Sequence, residues 1–264
     1  MLRVENIFKT FNPGTINEKV ALNGVSLHLK EGESVSVIGG NGAGKSTLLN
    51  AVSGSLIVDS GSIAIGGVDV TNLPEYKRAQ YIGRVFQDPM MGTAATMQIE
   101  ENLALALRRG KARTFRGGIT RADREMFREL LKTLDLGLED RMTAKVGLLS
   151  GGQRQALTLL MASLVKPKLL LLDEHTAALD PKTAAKVMEV TRMIVNRDQL
   201  TTLMITHNMR DAIEYGDRLV MLYEGRIVID VAGEEKQKLT VSRLLELFSE
   251  VSGSDEANDK LLIS

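Results

Sequence analysis

The stretch Gly39-Gly40-Asn41-Gly42-Ala43-Gly44-Lys45-Ser46 constrains this chain more than any other feature. It follows Ser34-Val35-Ser36-Val37-Ile38, which reads as a buried strand, and a helix is expected to start near Lys45. A Gly-x-x-x-x-Gly-Lys-Ser pattern between a strand and a helix is the signature of a phosphate-binding loop. Its glycines let the backbone turn N–H groups inward onto phosphate oxygens. The helix start adds the positive end of its dipole. Lys45 supplies a point charge for the β- and γ-phosphates, and the Ser46 hydroxyl can ligate Mg²⁺.

A second pattern lies downstream. Leu169-Leu170-Leu171-Leu172 reads as a central parallel strand buried on both faces, and it ends in Asp173-Glu174. Carboxylates at the C-terminal end of such a strand face the crevice where a phosphate loop holds its ligand. Asp173 is suited to hold Mg²⁺, directly or through water. Glu174 can polarise an attacking water. Acids commonly cap strand ends, so the pair gains its meaning from the phosphate loop upstream.

The rest of the chain fits an α/β core interrupted by helices. Val25–Leu29 alternates as a strand does, Glu31-Gly32-Glu33 is a turn, and Ile63–Ile65 and Ile82–Phe86 are further strands. From about Thr96 to Val165 the apolar spacing is helical. Within it, Arg108–Gly118 is a basic, glycine-containing run, read as a solvated loop or as a contact for a partner or lipid headgroups. After Pro167 the alternation resumes, with a helix at Pro181–Arg197, a strand at Thr202–Ile205, a helix at Asn208–Tyr215, and strands at Arg218–Tyr223 and Arg226–Val231. The tail Val251–Ser264 is expected to fray.

Composition removes several classes. With 264 residues, 44% apolar and 25% charged, the chain has ample material for a core. Thirty-three basic residues balance thirty-three acidic ones, which argues against a nucleic-acid partner. The absence of cysteine excludes disulfides, thiolate zinc sites and thiol catalysis. The first residues lack the apolar core of a signal peptide. No apolar run approaches the roughly 20 residues that cross a bilayer.

Leu149-Ser150-Gly151-Gly152-Gln153 precedes another helical pattern. Here the sequence resembles the ATP-binding cassette (ABC) ATPases, over about residues 1–232. The elements follow the family's order: the loop Gly39–Thr47, Gln87 after a strand, the LSGGQ stretch, Asp173-Glu174, Ala178-Leu179-Asp180 and His207. The resemblance implies a P-loop NTPase (RecA-like) α/β core with a mixed sheet, an N-terminal antiparallel β region and an inserted α-helical subdomain. Its implied limits are 1–87 and 166–232 for the core, 88–165 for the helical part and 233–264 for a C-terminal helix and tail. It implies binding and hydrolysis of ATP with Mg²⁺, the metal held by Ser46, Gln87 and Asp173. Gly39, Asn41, Gly42, Ala43, Gly44, Lys45, Ser46 and Thr47 would cradle the phosphates, and Phe11 would stack on adenine. Glu174, His207, Gln87 and Lys45 would carry the hydrolysis. Ser150, Gly151, Gly152, Gln153 and Asp180 would serve the nucleotide held by a second subunit. The family usually has Pro where His175 stands, which leaves His175 either a bystander or a modifier of Glu174. Many relatives carry Arg where Ala156 stands.

The resemblance further implies a subunit on the cytoplasmic side of the membrane, paired with a second ABC ATPase subunit and a separate integral membrane permease. For an importer, an extracytoplasmic substrate-binding protein completes the set, and a small solute such as an amino acid is the expected cargo. The docking groove would lie near Gln87 and Asp88–Met97, whose methionines suit adaptable apolar contact. An exporter or membrane-remodelling complex would use the same residues, and a soluble non-transport ATPase is a further alternative.

Overall fold

The computed structural model describes residues 1–111 and 118–252. The basic run therefore falls partly, and the Leu261-Leu262-Ile263 end wholly, outside the described residues. In chain order the elements are β1 (Leu2–Phe11), β2 (Lys19–Leu29), β3 (Ser34–Ile38), α1 (Lys45–Ser53), β4 (Ser60–Ile65), β5 (Val68–Asp69), α2 (Glu75–Arg78) and β6 (Ile82–Val85). Then come α3 (Ile99–Leu107), α4 (Arg121–Lys132), a 3-10 turn at Val146–Leu148, α5 (Gly151–Leu164), β7 (Leu169–Asp173), α6 (Pro181–Asp198) and β8 (Thr202–Ile205). The chain continues with α7 (Met209–Glu214), β9 (Arg218–Tyr223), β10 (Arg226–Ala232), α8 (Gly233–Gln237) and α9 (Val241–Ser252).

Two sheets result. β2-β1-β4-β5 is antiparallel, and β10-β9-β3-β8-β7-β6 is parallel apart from β10. Parallel pairing follows from the sequence: β3, β7 and β8 are buried on both faces and are joined through helices rather than hairpins. One face of this sheet packs with α1 against the antiparallel sheet, through Val37, Leu48, Leu171, Leu203, Ile7 and Ile63. The other face packs on α3, α4, α5 and α6, through Val85, Leu170, Leu172, Leu103, Phe127, Leu159 and Ile194. β9 and β10 share a third cluster with α7 and α9, including Met221, Leu244 and Phe248.

The helices begin where the side chains can cap them. Gln98 with Glu101, Thr120 with Asp123, and Ser150 with Gln153 form reciprocal capping boxes on α3, α4 and α5. Asn208 caps α7 and so lies outside the helix expected to include it. The basic run departs from a solvated loop at Arg109. Its half-buried guanidinium donates to the carbonyls of Ile82, Ala162 and Val165, pinning the end of α3 to β6 and α5.

Two buried polar groups hold the elements around the phosphate loop. Arg78 is fully buried and donates to Ala51 O at 2.7 Å, Val52 O at 3.0 Å, Leu73 O at 2.8 Å and Thr71 O at 3.0 Å. Two of these are last-turn carbonyls of α1, which the helix itself leaves unpaired. His175 is 2% exposed and points into the core, with Nε2 3.0 Å from Thr191 Oγ1 on α6. Thr191 gives its single hydroxyl proton to Val187 O, so His175 Nε2 must be the donor. Burial pushes the His175 pKa down to about 4 and keeps the ring neutral.

Replacing Arg78 by Met strands those carbonyls; urea denaturation is expected to show a loss of at least about 3 kcal/mol. For His175, the unfolded chain binds the proton near pH 6.5 and the folded chain only near pH 4. Stability contributed by the neutral ring is therefore full above pH 6.5 and falls between pH 6.5 and 4, by up to about 1.4 kcal/mol per pH unit. His175→Asn is expected to lose this slope when unfolding free energy is followed across that window.

Candidate functional site

The parallel strands deliver four segments to one end of the sheet. The phosphate loop leaves β3, Gln87 follows β6, Asp173 ends β7 with Glu174 next, and Thr206-His207 follow β8. Their register is tight: Asp173 pairs with Ile205, and Val85 with Leu172. A cleft of about 440 Å³ opens there, lined by Phe11, Lys19, Ala21, Asn41, Gly42, Ala43, Gly44, Lys45, Ser46, Thr47, Gln87 and Glu174.

The loop leaves no room for side chains at its turns. Gly39 has φ 150°, and a Cβ there would sit 2.3 Å from Leu222 O. Gly44 has φ 106°, and a Cβ would meet Ala21 O at 2.5 Å. Lys45 is the first residue of α1 and is 6% exposed. Its Nζ donates to Gly39 O at 2.6 Å and Gly40 O at 3.2 Å, across the cradle. Burial lowers its pKa, and the charge of Glu174 opposes that shift.

Glu174 occupies the left-handed backbone region at φ 42°, an unusual place for a non-glycine residue that turns its carboxylate into the cleft. Its N–H bonds Ile205 O at 3.0 Å. His207 does not line the cleft; its Nδ1 lies 3.6 Å from Glu174 Oε2 and reaches the site through that carboxylate. Asp173 sits beside the cleft and is held by Arg84, with Nη2 3.0 Å from Oδ2. The oxygen donors of Ser46, Gln87 and Asp173 are the hard set that suits Mg²⁺ completed by phosphates and water. Among the described residues no group of three or more His, Asp or Glu side chains could form a metal cage by itself.

The LSGGQ stretch lies elsewhere. Ser150, Gly152 and Gln153 line a separate cavity of about 400 Å³ against α6, with Leu136, Lys182 and Thr183. The Ser150 hydroxyl accepts from Gln153 N at 3.3 Å, and Gln153 Nε2 donates to Leu136 O at 3.3 Å. Gly151 has Leu179 against it, and a Cβ on Gly152 would strike Thr183 Cγ2. Asp180 caps α6 by accepting from Thr183 N at 3.1 Å, and hydrogen bonding to the Thr183 side chain and backbone lowers its pKa.

Phe11 is 37% exposed at the mouth of the cleft rather than packed in the core. Lys19 also reaches the cleft; a lone lysine at a strand start gives no sequence signal. Arg84 gives no sequence signal of its own within the strand Ile82–Phe86. Met90 and Met91 are exposed, beside the Gln87 segment. Ala156 is fully buried in the helical core.

Residues 22–177 match the ABC transporter family. The tyrosine transport ATP-binding protein of Clostridioides difficile (strain R20291) is 48% identical, over 94% of this chain and 98% of its own length. The methionine import ATP-binding protein MetN of Rhizobium etli is 39% identical over 79% of this chain, which spans 56% of that longer relative. Among solved structures, the dimeric ABC cassette MJ0796 in a post-hydrolysis state with ADP and Pi has a TM-score of 0.74 and 31% identity, covering 88% of this chain and 98% of that one. The ADP conformation of the ABC transporter cassette MJ1267 has a TM-score of 0.76 and 29% identity, covering 94% and 98%. A glycine cradle, a strand-end acid pair and a separate LSGGQ cap, in the order and fold of these relatives, identify the chain as an ATP-hydrolysing cassette of the ABC transporter family.

Proposed function

We propose that this chain is the ATPase subunit of an ABC importer that moves a small solute such as an amino acid through a separate integral membrane permease. The convergence of Phe11, the phosphate loop, Gln87 and Glu174 on one cleft, with Ser150 and Gly152 on another surface, carries this reading. Phe11 offers a face for adenine. The loop N–H groups and Lys45 bind the phosphates, Lys45 leaving the carbonyls of Gly39 and Gly40 as the ligand arrives. Ser46, Gln87 and Asp173 would hold Mg²⁺, which when bound neutralises charge on the phosphate chain. Glu174 orients water and accepts its proton, and His207 steadies that carboxylate from the rim of the cleft, where closure would bring it to the terminal phosphate.

One subunit lacks half of the site. Ser150 caps the start of α5, a helix N-terminus suited to a phosphate, yet it opens on a different cavity. Two copies packed head to tail would place each Ser150–Gln153 stretch, with Asp180, on the other's nucleotide. The dimeric cassette among its structural relatives supports the pairing of two copies. The core limits 1–87 and 166–232, the helical part 88–165 and the end 233–264 belong to the same reading. The exposed Met90 and Met91 beside Gln87 offer the surface for the permease. No helix among the described residues is long and apolar enough to cross a membrane. Attachment to the cytoplasmic face would run through that partner. The tyrosine transport and methionine import relatives support an amino-acid cargo, which an extracytoplasmic binding protein would deliver.

Glu174→Gln is expected to keep ATP binding, slow hydrolysis by at least about a hundredfold and accumulate a dimer on sizing with ATP and Mg²⁺; a variant that stays monomeric at saturating ATP overturns the shared site. Reconstituted with its permease and binding protein, the wild type is expected to drive ATP-dependent uptake of labelled tyrosine or a related amino acid into vesicles.

A further inference from the structure

The strand that leads to Gln87 carries an unexpected charge. Arg84 sits in β6 between Gly83 and Val85, and its side chain is largely buried. The guanidinium spans three elements. Nη2 donates to Asp173 Oδ2 at 3.0 Å and to Asn50 Oδ1 on α1 at 2.8 Å. Nη1 donates to Ser53 Oγ at 3.1 Å and Ser55 Oγ at 3.2 Å. The guanidinium carbon also lies 4.6 Å from the ring centroid of Phe86, the residue before Gln87. A guanidinium so anchored is always charged and has little freedom to leave.

Its position matters because Asp173 is the one carboxylate among the residues assigned to Mg²⁺. A fixed cation in hydrogen-bond contact with one carboxylate oxygen offsets the charge that would draw a divalent ion. The ion must then bring its own anions. We propose that Arg84 is a positioning residue that serves as the resident counter-ion of Asp173, so that the site takes up a divalent cation only together with nucleotide phosphates. This rests on the assignment of Asp173 to the metal. Together with its bonds to Asn50 and Ser53, this hydrogen bond ties Asp173 to α1, which carries Ser46, so the two donors keep their spacing before the metal arrives.

The test reads metal binding without turnover, using Mn²⁺ as a paramagnetic probe on the full chain. Nucleotide-free wild type is expected to bind Mn²⁺ weakly and to retain it once ADP is added. Arg84→Met, which keeps the stem but removes the charge, is expected to bind Mn²⁺ without nucleotide at least about tenfold more tightly. Arg84→Lys is expected to stay near wild type, and adding Asp173→Asn to Arg84→Met is expected to abolish the gain. Equal Mn²⁺ affinity in wild type and Arg84→Met overturns the proposal. So does micromolar Mn²⁺ binding by nucleotide-free wild type, a result that needs no variant to fold. If Asp173→Asn alone leaves ADP-dependent Mn²⁺ retention unchanged, the metal assignment itself falls, and the role of Arg84 with it.

Discussion

Parallel pairing in the larger sheet is the constraint on which the site depends. β3, β8, β7 and β6 run in one direction, so each strand ends at the same edge. The cradle, the acid pair, Gln87 and His207 come from chain positions up to 168 residues apart (39 to 207), and this one topological fact gathers them. Burial on both faces makes the arrangement stiff. Leu171 faces one apolar cluster and Leu172 the other, so Asp173 follows from a strand that cannot slip by a single residue without reversing both.

Much of this was legible in the sequence where local chemistry and local structure coincide. The phosphate loop, β7, β8 and α6 carry strong signals because an apolar strand, a glycine turn and a proline or aspartate cap are each short-range features. β1 is harder to read. It runs for 10 residues with bulges and a left-handed Asn6, so its apolar positions lose strict alternation. Which residues of the site meet was legible only by resemblance, since spacing along a chain does not say that Gln87 and Glu174 share a cleft with Phe11.

Charges inside the fold were the least legible. Arg78, Arg84 and Arg109 look like surface residues in the sequence, yet each guanidinium ties segments together through buried or half-buried hydrogen bonds. His175 is similar: in place of the family's usual proline it supplies a neutral donor to α6 instead of a charge beside Glu174. A single sequence cannot separate a solvated cation from an interior one, because the carbonyls that receive it come from distant elements.

The Arg109 contacts also bear on how the helical arm can move. They join β6 to Ala162 and Val165, and Gly83 lets α5 approach so closely that a Cβ would touch Ala162 O at 2.5 Å. The C-terminal end of α5 is thereby fastened to the sheet, while Ser150 stands at its other end. Near the serine end, Gln155 Nε2 also donates to Phe86 O at 3.0 Å, directly after β6. Both ends of α5 are thus moored to the same edge strand, so a shift of β6 would be handed to the LSGGQ stretch without passing through the cleft.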